Sequence, residues 1–179
     1  GRGAELGASV AIDGVCQTVA AVEGDVIHFE AIQETLDKTT LGALSPGAKV
    51  SVERSARVGD EVGGHNVSGH IVGTGTIEET KNDGHEVVIT IGVEASWMKY
   101  ILPKGYVAID GSSLTVGADV DARGRFQVYL IPETLRLTNL GGKRVGDRVN
   151  VELDSTTVAI VDTTERTVER LLREKGIRS

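Results

Sequence analysis

The chain has little of several things that define common protein classes. Its 179 residues include one cysteine, Cys16, which excludes an internal disulfide and disfavours a thiolate zinc site. No apolar run approaches the roughly 18 residues that a membrane helix needs. Aromatic residues make up 3% of the chain while glycine numbers 23, a balance that favours short strands and turns over a helix bundle. We therefore expect a soluble globular protein that does not enter a membrane.

The charge balance excludes a further class of partner. The net charge is −7 and the isoelectric point is about 5.1. Nucleic acid as a main partner is disfavoured because phosphate binding needs clustered lysine and arginine. No signal-peptide pattern is visible, so we expect a cytoplasmic protein.

Three blocks of sequence occur twice, in the same order. The first is offset by 97 residues and the other two by 99, which fits a two-residue insertion in the turn at 121–125. Three matching blocks indicate two copies of one domain. The pairs are AIDGVCQTV (11–19) with AIDGSSLTV (108–116), QETLDKTTLG (33–42) with PETLRLTNLG (132–141), and GAKVSVE (47–53) with GDRVNVE (146–152).

The second copy has the periodicity of β-strands. It starts with an extended stretch at 65–79, a hairpin signal at 82–84 and a strand at 85–93. Helical spacing follows at 94–102, and a short helix is predicted at 132–141, where proline stands first and glycine last. Six strands and two short helices predict an all-β fold, a small antiparallel barrel that closes to avoid exposed edges.

The first copy is shorter than the second. Ten residues precede its AIDG motif, against about 42 in the second copy. From this difference we expect the first barrel to lack its N-terminal strands in this chain, roughly 30 residues. A barrel without them would have a long unpaired edge. The native protein is expected to carry them, and an intact, active protein of 18.9 kDa would contradict this.

A terminal helix is predicted after the second copy. Val161, Thr164, Val168 and Leu171 form a narrow apolar seam on an otherwise charged segment. Such a seam suits either a matching helix of another subunit or the surface of the chain's own barrel.

Small polar side chains occupy one strand position in both copies. Residues two apart in a strand point the same way, so Cys16 shares a face with Thr18, and Ser113 with Thr115. A lone cysteine is ordinarily a buried small hydrophobe. Because serine stands at the matching position, the pattern favours a site that selects a small polar group, and predicts a duplicated ligand-sized patch.

Two histidines lie between the copies, at positions 65 and 70. They could be metal ligands, but no third ligand of good spacing accompanies them, so we expect no metal. The simpler interpretation is a turn histidine that caps a backbone carbonyl. His70 is also a candidate acid/base, since histidine suits proton transfer near neutral pH. Lys104 and Asp154, taken alone, are ordinary surface charges.

Together these motifs resemble riboflavin synthase of the alpha-subunit type, in the lumazine-binding barrel family. The resemblance rests on the repeated DG-x-x-x-TV and ETL-x-x-T-x-LG segments, GGH-x-x-SGH (63–70) and MKYILPKG (98–105), and it runs from Gly7 to the terminal helix. It implies two tandem six-stranded Greek-key barrels, at 1–64 and 65–157, and a C-terminal helix at 158–179 through which three subunits associate. Association with lumazine synthase is a further implied partnership.

The resemblance also implies an activity. Each barrel would bind one 6,7-dimethyl-8-ribityllumazine, and a four-carbon unit would pass between the two molecules to give riboflavin and 5-amino-6-ribitylamino-uracil. No metal or organic cofactor is expected. The alternative is a lumazine- or flavin-binding protein of the same fold without catalysis.

Site residues follow from the same resemblance, motif by motif. Gln17 stands where the family usually has leucine, and it points away from the Cys16 face of its strand. The implied catalytic residues are Cys16, His70, Ser113, Thr115, Ser9 and Asp154. The implied substrate-binding residues are Gln17, Thr18, Glu34, Thr35, Gly69, Ile71, Lys104, Leu130, Ile131, Pro132, Glu133 and Thr134.

Overall fold

Two β-sheets, one from each copy of the repeat, hold most of the regular structure. The computed structural model describes residues 3–82, 84 and 86–176. The first copy contains β1 (Ser9–Ile12), β2 (Val15–Glu23), β3 (Val26–Phe29), α1 (Gln33–Lys38), a 3₁₀ helix (Thr40–Ala43) and β4 (Val52–Arg54). The second contains β5 (Gly73–Asn82), β6 (Val87–Gly92), a 3₁₀ helix (Ala95–Tyr100), β7 (Tyr106–Ile109), β8 (Ser112–Asp121), β9 (Arg125–Leu130), α2 (Pro132–Leu137), a 3₁₀ helix (Asn139–Gly142), β10 (Arg148–Leu153) and α3 (Ser155–Glu174).

The second copy forms a closed antiparallel barrel, as predicted. Its strand order is β10-β5-β6-β9-β8-β7, so every strand has two neighbours and no edge is left open. Alternate residues point inward, and the branched side chains of β7 and β10 are almost completely buried. The core is apolar, and it includes Ile77, Ile91, Val107, Ile109, Val116, Phe126, Val128, Val149 and Val151.

The first copy repeats four of these strands as an open sheet. Its order is β3-β2-β1-β4, the order in which β9, β8, β7 and β10 adjoin in the barrel. The hairpin register is also repeated, since Ala11 faces Cys16 as Ala108 faces Ser113. Among the described residues, no counterparts of β5 and β6 precede β1.

The predicted extended stretch at 65–79 is a strand only from Gly73 onward, so the prediction was wrong for 65–72. Gly69 has a φ of 81°, a left-handed conformation through which a strand cannot continue. Residues 65–72 instead lie against both halves. The Cys16 N–H donates to the Gly69 carbonyl at 3.2 Å, and the Val72 N–H donates to the Val151 carbonyl at 3.0 Å.

Smaller differences from the sequence predictions lie at the ends of β6. The strand predicted at 85–93 covers Val87–Gly92, and residues 83 and 85 lie outside the described residues. The helical segment predicted at 94–102 is a 3₁₀ helix over Ala95–Tyr100. Its three-residue period brings Met98 and Ile101 into the core.

The two halves meet through their matching Asp-Gly turns. Gly14 and Gly111 lie back to back with φ values of 77° and 84°. A Cβ atom on Gly14 would lie 2.3 Å from the backbone nitrogen of Gly111, so there is no room for a side chain. Asp13 and Asp110, which precede these glycines, are also left-handed and are almost fully buried.

Each aspartate accepts a hydrogen bond from its own copy, from the residue just before β4 in the first copy and from within β10 in the second. Asp13 Oδ1 accepts the Ser51 N–H, and Asp110 Oδ1 accepts the Asn150 N–H, both at 2.7 Å. The Nζ atom of Lys143 lies 2.9 Å from Asp110 Oδ2. Asp110 therefore has a buried carboxylate held by one N–H and one ammonium.

Side-chain amides join the two halves across this contact. The Asn150 amide donates to the Asp13 carbonyl and to Thr40 Oγ1, both at 2.8 Å, and its Oδ1 accepts the Thr40 N–H. Asn139 donates from its amide to Asp13 Oδ1 at 2.7 Å and from its N–H to Ser51 Oγ at 3.0 Å. Both asparagines belong to the second copy, and each hydrogen-bonds to residues of the first copy.

Helix α3 leaves the barrel after Asp154, and its first turns pack against the 3₁₀ helix at Ala95–Tyr100. Val158 packs on the core, and Tyr100 donates its hydroxyl to Asp162 at 2.6 Å. The more distant Val168 and Leu171 are exposed. In the described part of the chain, no helix is both long and apolar enough to cross a bilayer.

A substitution at the turn contact should be severe. Gly14→Ala places Cβ against the Gly111 backbone and adds left-handed strain, so we expect the free energy of unfolding to fall by about 3 kcal/mol or more. Gly24→Ala is the matched control, because Gly24 is also left-handed but nothing lies within 4 Å of its Cβ position; it should cost about 1 kcal/mol. Urea unfolding measures both, and equal losses would contradict a tight turn contact.

Burial raises the pKa of Asp110 to about 6, and Lys143 only partly opposes this. Between the ordinary pKa of 3.8 and about 6 the unfolded chain ionises this carboxyl more readily, so Asp110 contributes less stability as pH rises through that range. Asp110→Asn removes the titration. The free energy of unfolding of the parent minus that of the variant should fall from about pH 4 to about pH 6 and then level off; a difference independent of pH would contradict this.

Candidate functional site

The predicted polar residues of the first copy share one face of the β1–β2 hairpin. Ser9 lies opposite Thr18, and Ala11 lies opposite Cys16. Cys16 and Thr18 are exposed, while the residues that alternate with them are buried: Val15, Gln17 and Val19. We call Ser9, Cys16 and Thr18 the Cys16 face.

The second copy carries a matching face on its barrel wall. Tyr106 lies opposite Thr115, and Ala108 lies between Ser113 on β8 and Glu152 on β10. We call Tyr106, Ser113, Thr115 and Glu152 the Ser113 face. It points away from the core, since the residues that alternate with these are inside the barrel.

His65 lies on the Ser113 face. Its Nδ1 is 2.6 Å from Ser113 Oγ, and its backbone N–H donates to the same oxygen at 3.1 Å. The imidazole stacks on Tyr106 with ring centroids 5.2 Å apart. This histidine therefore contacts a predicted site hydroxyl rather than a backbone carbonyl.

The turn at 68–70 brings three of the predicted residues together. The Gly69 carbonyl accepts the Cys16 N–H, and a Cβ on Gly69 would lie 2.6 Å from Cys16 Cβ. Ser68 Oγ lies 2.8 Å from His70 Nδ1. Cys16, Gly69 and His70 thus belong to one local arrangement.

Glu152 anchors this turn and was missed in the sequence. Its Oε1 accepts the Ser68 N–H and hydroxyl, both at 2.7 Å, and its Oε2 accepts the Gly69 N–H at 2.9 Å. The available signal was the repeated Val-Glu that ends the third block in each copy, at Glu53 and Glu152. Charge at a strand end is common, so the repeat alone did not identify its partners.

Asp154 caps helix α3 beside the Ser113 face. Its carboxylate accepts the Thr157 N–H at 2.9 Å and the Thr157 hydroxyl at 2.6 Å, with a longer bond from the Thr156 N–H. Burial alone would raise the pKa of Asp154, but these hydrogen bonds and nearby His65 lower it below its ordinary value. The carboxylate is therefore ionised at neutral pH and pre-positioned.

The predicted residues of the two short helices are not joined to either face. Glu34 pairs with Lys38, and Glu133 pairs with Arg136, both at 2.6 Å. The carbonyls of Thr35 and Thr134 accept hydrogen bonds from the threonine four residues later. Within the described residues, no hydrogen bond or ion pair connects these positions to Cys16 or Ser113; Ile131 and Pro132 are exposed at the start of α2.

The remaining predicted residues occupy varied environments. Gln17 is buried on the reverse of the Cys16 face and donates its amide to the Cys16 carbonyl at 2.8 Å. Leu130 lies wholly in the barrel core, and Ile71 is half-buried. Lys104 has a φ of 65° in the turn before β7, where its N–H donates to the Val116 carbonyl. In the described ranges, no group of three or more His, Cys, Asp or Glu side chains is placed to hold a metal ion.

Comparison with known proteins agrees with the repeat. A family model described as the lumazine binding domain matches residues 2–55 and 68–154, one match for each copy. Riboflavin synthase of Escherichia coli is 48% identical over 165 residues, covering 92% of this chain and 76% of that protein. Riboflavin synthase of Mycobacterium tuberculosis is 42% identical over 172 residues, covering 95% of this chain and 82% of that protein.

Solved structures agree as well. LumP complexed with 6,7-dimethyl-8-(1'-D-ribityl) lumazine has a TM-score of 0.74 and 25% identity, covering 84% of this chain and 79% of that one. LumP complexed with riboflavin also has a TM-score of 0.74, with 27% identity over 84% of this chain and 80% of that one.

Proposed function

The chain belongs to the lumazine binding domain family, and we propose that it is a riboflavin synthase, a transferase acting on two molecules of 6,7-dimethyl-8-ribityllumazine. One molecule gives a four-carbon unit to the other, and the products are riboflavin and 5-amino-6-ribitylamino-uracil. The two products together contain the atoms of the two substrates, so the transfer consumes no oxidant, reductant or cofactor.

The observation that carries this proposal is the pair of matching polar faces that differ at Cys16 and Ser113. Two identical substrates must play unequal roles, donor and acceptor. Two copies of one face can each hold a substrate, and orientation of the pair supplies much of the rate. The thiol in one copy and the hydroxyl in the other make the two positions chemically unequal.

Proton transfer is the remaining requirement. The 7-methyl protons of the lumazine are acidic because the anion delocalises into the ring, so modest acid/base assistance suffices. We assign this assistance to His70 and Cys16, with hydroxyls from Ser9, Ser113 and Thr115 as hydrogen-bonding groups. The ionised Asp154 holds the ligand or a water beside the Ser113 face. Substrate contacts are assigned to Thr18, Glu34, Thr35, Gly69, Ile71, Lys104, Ile131, Pro132, Glu133 and Thr134. Gln17 and Leu130, which the sequence also suggested, are buried away from these faces and support the strands instead.

The proposal includes a domain arrangement. Residues 1–64 form the N-terminal lumazine-binding unit, whose open sheet belongs to a second barrel of the same type. Residues 65–157 form the C-terminal barrel, and 158–179, which includes most of α3 (Ser155–Glu174), form the oligomerisation segment. A cytoplasmic location is proposed with it.

We further propose a homotrimer assembled through α3, and association with lumazine synthase. The trimer is supported by apolar side chains of α3 that are exposed when a single subunit is considered alone: Ile160, Val168 and Leu171. A monomer in sedimentation equilibrium at micromolar concentration would contradict the trimer, and failure to co-sediment with lumazine synthase would contradict the association.

Turnover of the lumazine tests the proposed activity directly. The full-length native protein, incubated with 6,7-dimethyl-8-ribityllumazine, should produce riboflavin and the uracil in equal amounts. Cys16→Ser, which makes the two faces alike at this position, should lower kcat by about 100-fold while lumazine affinity changes by less than about threefold. Product chromatography and ligand titration measure the two quantities.

The outcomes separate two classes of protein. Lumazine binding without turnover would contradict the synthase and favour a binding protein, the function that similarity to LumP suggests as the alternative. Equal losses of turnover and affinity in Cys16→Ser would show that the thiol only binds the ligand.

A further inference from the structure

We propose that Glu152 is a positioning residue that sets the tautomer of His70 and holds the 68–70 turn against Cys16. The tautomer assignment rests on the hydrogen-bond geometry alone, while the catalytic consequence rests on the proposed synthase activity.

The Glu152 carboxylate has no cationic partner within the described residues. It is 5% exposed, and three donors from the turn satisfy it: the N–H and hydroxyl of Ser68 and the N–H of Gly69. A buried carboxylate keeps its charge when it accepts several hydrogen bonds. Because two of these donors are consecutive backbone N–H groups, Glu152 orients the peptide planes of the turn and not only a side chain.

The hydroxyl of Ser68 transmits this constraint to His70. An ionised carboxylate can only accept, so the single hydroxyl proton of Ser68 is directed at Glu152 Oε1. Toward His70 the same oxygen can then only accept, at 2.8 Å from Nδ1. The proton of the neutral imidazole therefore stays on Nδ1, and Nε2 carries the free lone pair.

This assignment defines which atom of His70 exchanges protons. In water the neutral imidazole prefers the opposite tautomer, with the proton on Nε2, so the protein must work against that preference. Because Nδ1–H donates to Ser68, the neutral ring takes up a proton at Nε2, and the charged ring releases it from the same atom. His70 becomes a base with one available nitrogen.

The same carboxylate links the second copy to the thiol in the first. Gly69, held by Glu152 on its N–H, accepts the Cys16 N–H on its carbonyl. Its lack of a side chain permits the close approach, since a Cβ would lie 2.6 Å from Cys16 Cβ. Loss of Glu152 should therefore displace His70 and the backbone beside Cys16 together.

The repeat supplies a matched control at Glu53. This residue ends the third block of the first copy as Glu152 ends that of the second, and it lies opposite Ala11 as Glu152 lies opposite Ala108. Glu53 is exposed, and no hydrogen bond joins it to the 68–70 turn. Glu53→Gln therefore makes the same change of charge without touching His70.

Nitrogen NMR of the histidine rings tests the inference on the full ¹⁵N-labelled chain, with His70 assigned by comparison with His70→Gln. In the parent protein the neutral ring should show a pyrrole-type Nδ1 and a pyridine-type Nε2. Ser68→Ala and Glu152→Gln should both increase the population with the proton on Nε2, whereas Glu53→Gln should leave the tautomer unchanged. Ser68 is exposed, so its truncation keeps the test available if Glu152→Gln does not fold.

Kinetics form the second readout. Ser68→Ala and Glu152→Gln should lower kcat by at least about tenfold with little change in KM, because His70 is no longer held in the reactive tautomer, whereas Glu53→Gln should not change the tautomer. A parent ring with the proton on Nε2, or a tautomer unchanged in both variants, would overturn the inference. If the parent shows no turnover, the proposed function fails, but a tautomer shift in the variants still supports the positioning role.

Discussion

The close contact between the turns at Gly14 and Gly111 is the constraint on which the rest of the structure depends. It is a backbone-to-backbone contact, in which a Cβ atom added to Gly14 would lie only 2.3 Å from the Gly111 nitrogen. Asp13 and Asp110 stabilise the turns from inside, and the amides of Asn139 and Asn150 carry the contact from one copy to the other. The two aspartates and Asn150 are buried and Asn139 is half-buried, so their hydrogen bonds form where little water can compete.

The positions of the two polar faces follow from that contact. Cys16 and Ser113 each stand two residues beyond the contacting glycine, on strands that leave the turn in the same register. The two faces are therefore set by the same short span of rigid backbone. The side chains of Cys16 and Ser113 point out of the sheets. The two copies can therefore differ at this position while their backbones keep the same register.

Much of the fold could be predicted because its signals are local. The repeated blocks, the alternation in β7 and β8, and Pro132 at the start of α2 each depend on neighbours in the chain. The path of 65–72 could not be predicted in this way, since Gly69 turns to meet Cys16, more than fifty residues away in sequence. For the same reason the sequence indicated Cys16, His70 and Ser113 as candidates but not Glu152, and it did not indicate the contact of His65 with Ser113. Their roles arise from contacts between strands and turns that no periodicity encodes.

The turn at 68–70 has a consequence for the modularity of the protein. Its sequence belongs to the second copy, its anchor is a glutamate of the second copy, and yet its carbonyl contacts the cysteine strand of the first. A duplicated gene ordinarily yields two modules that can be separated, exchanged or lost one at a time. Here an excised second copy would keep the histidine and its support but leave the thiol behind. The turn at 68–70 therefore makes the local environment of the thiol in the first copy depend on residues of the second.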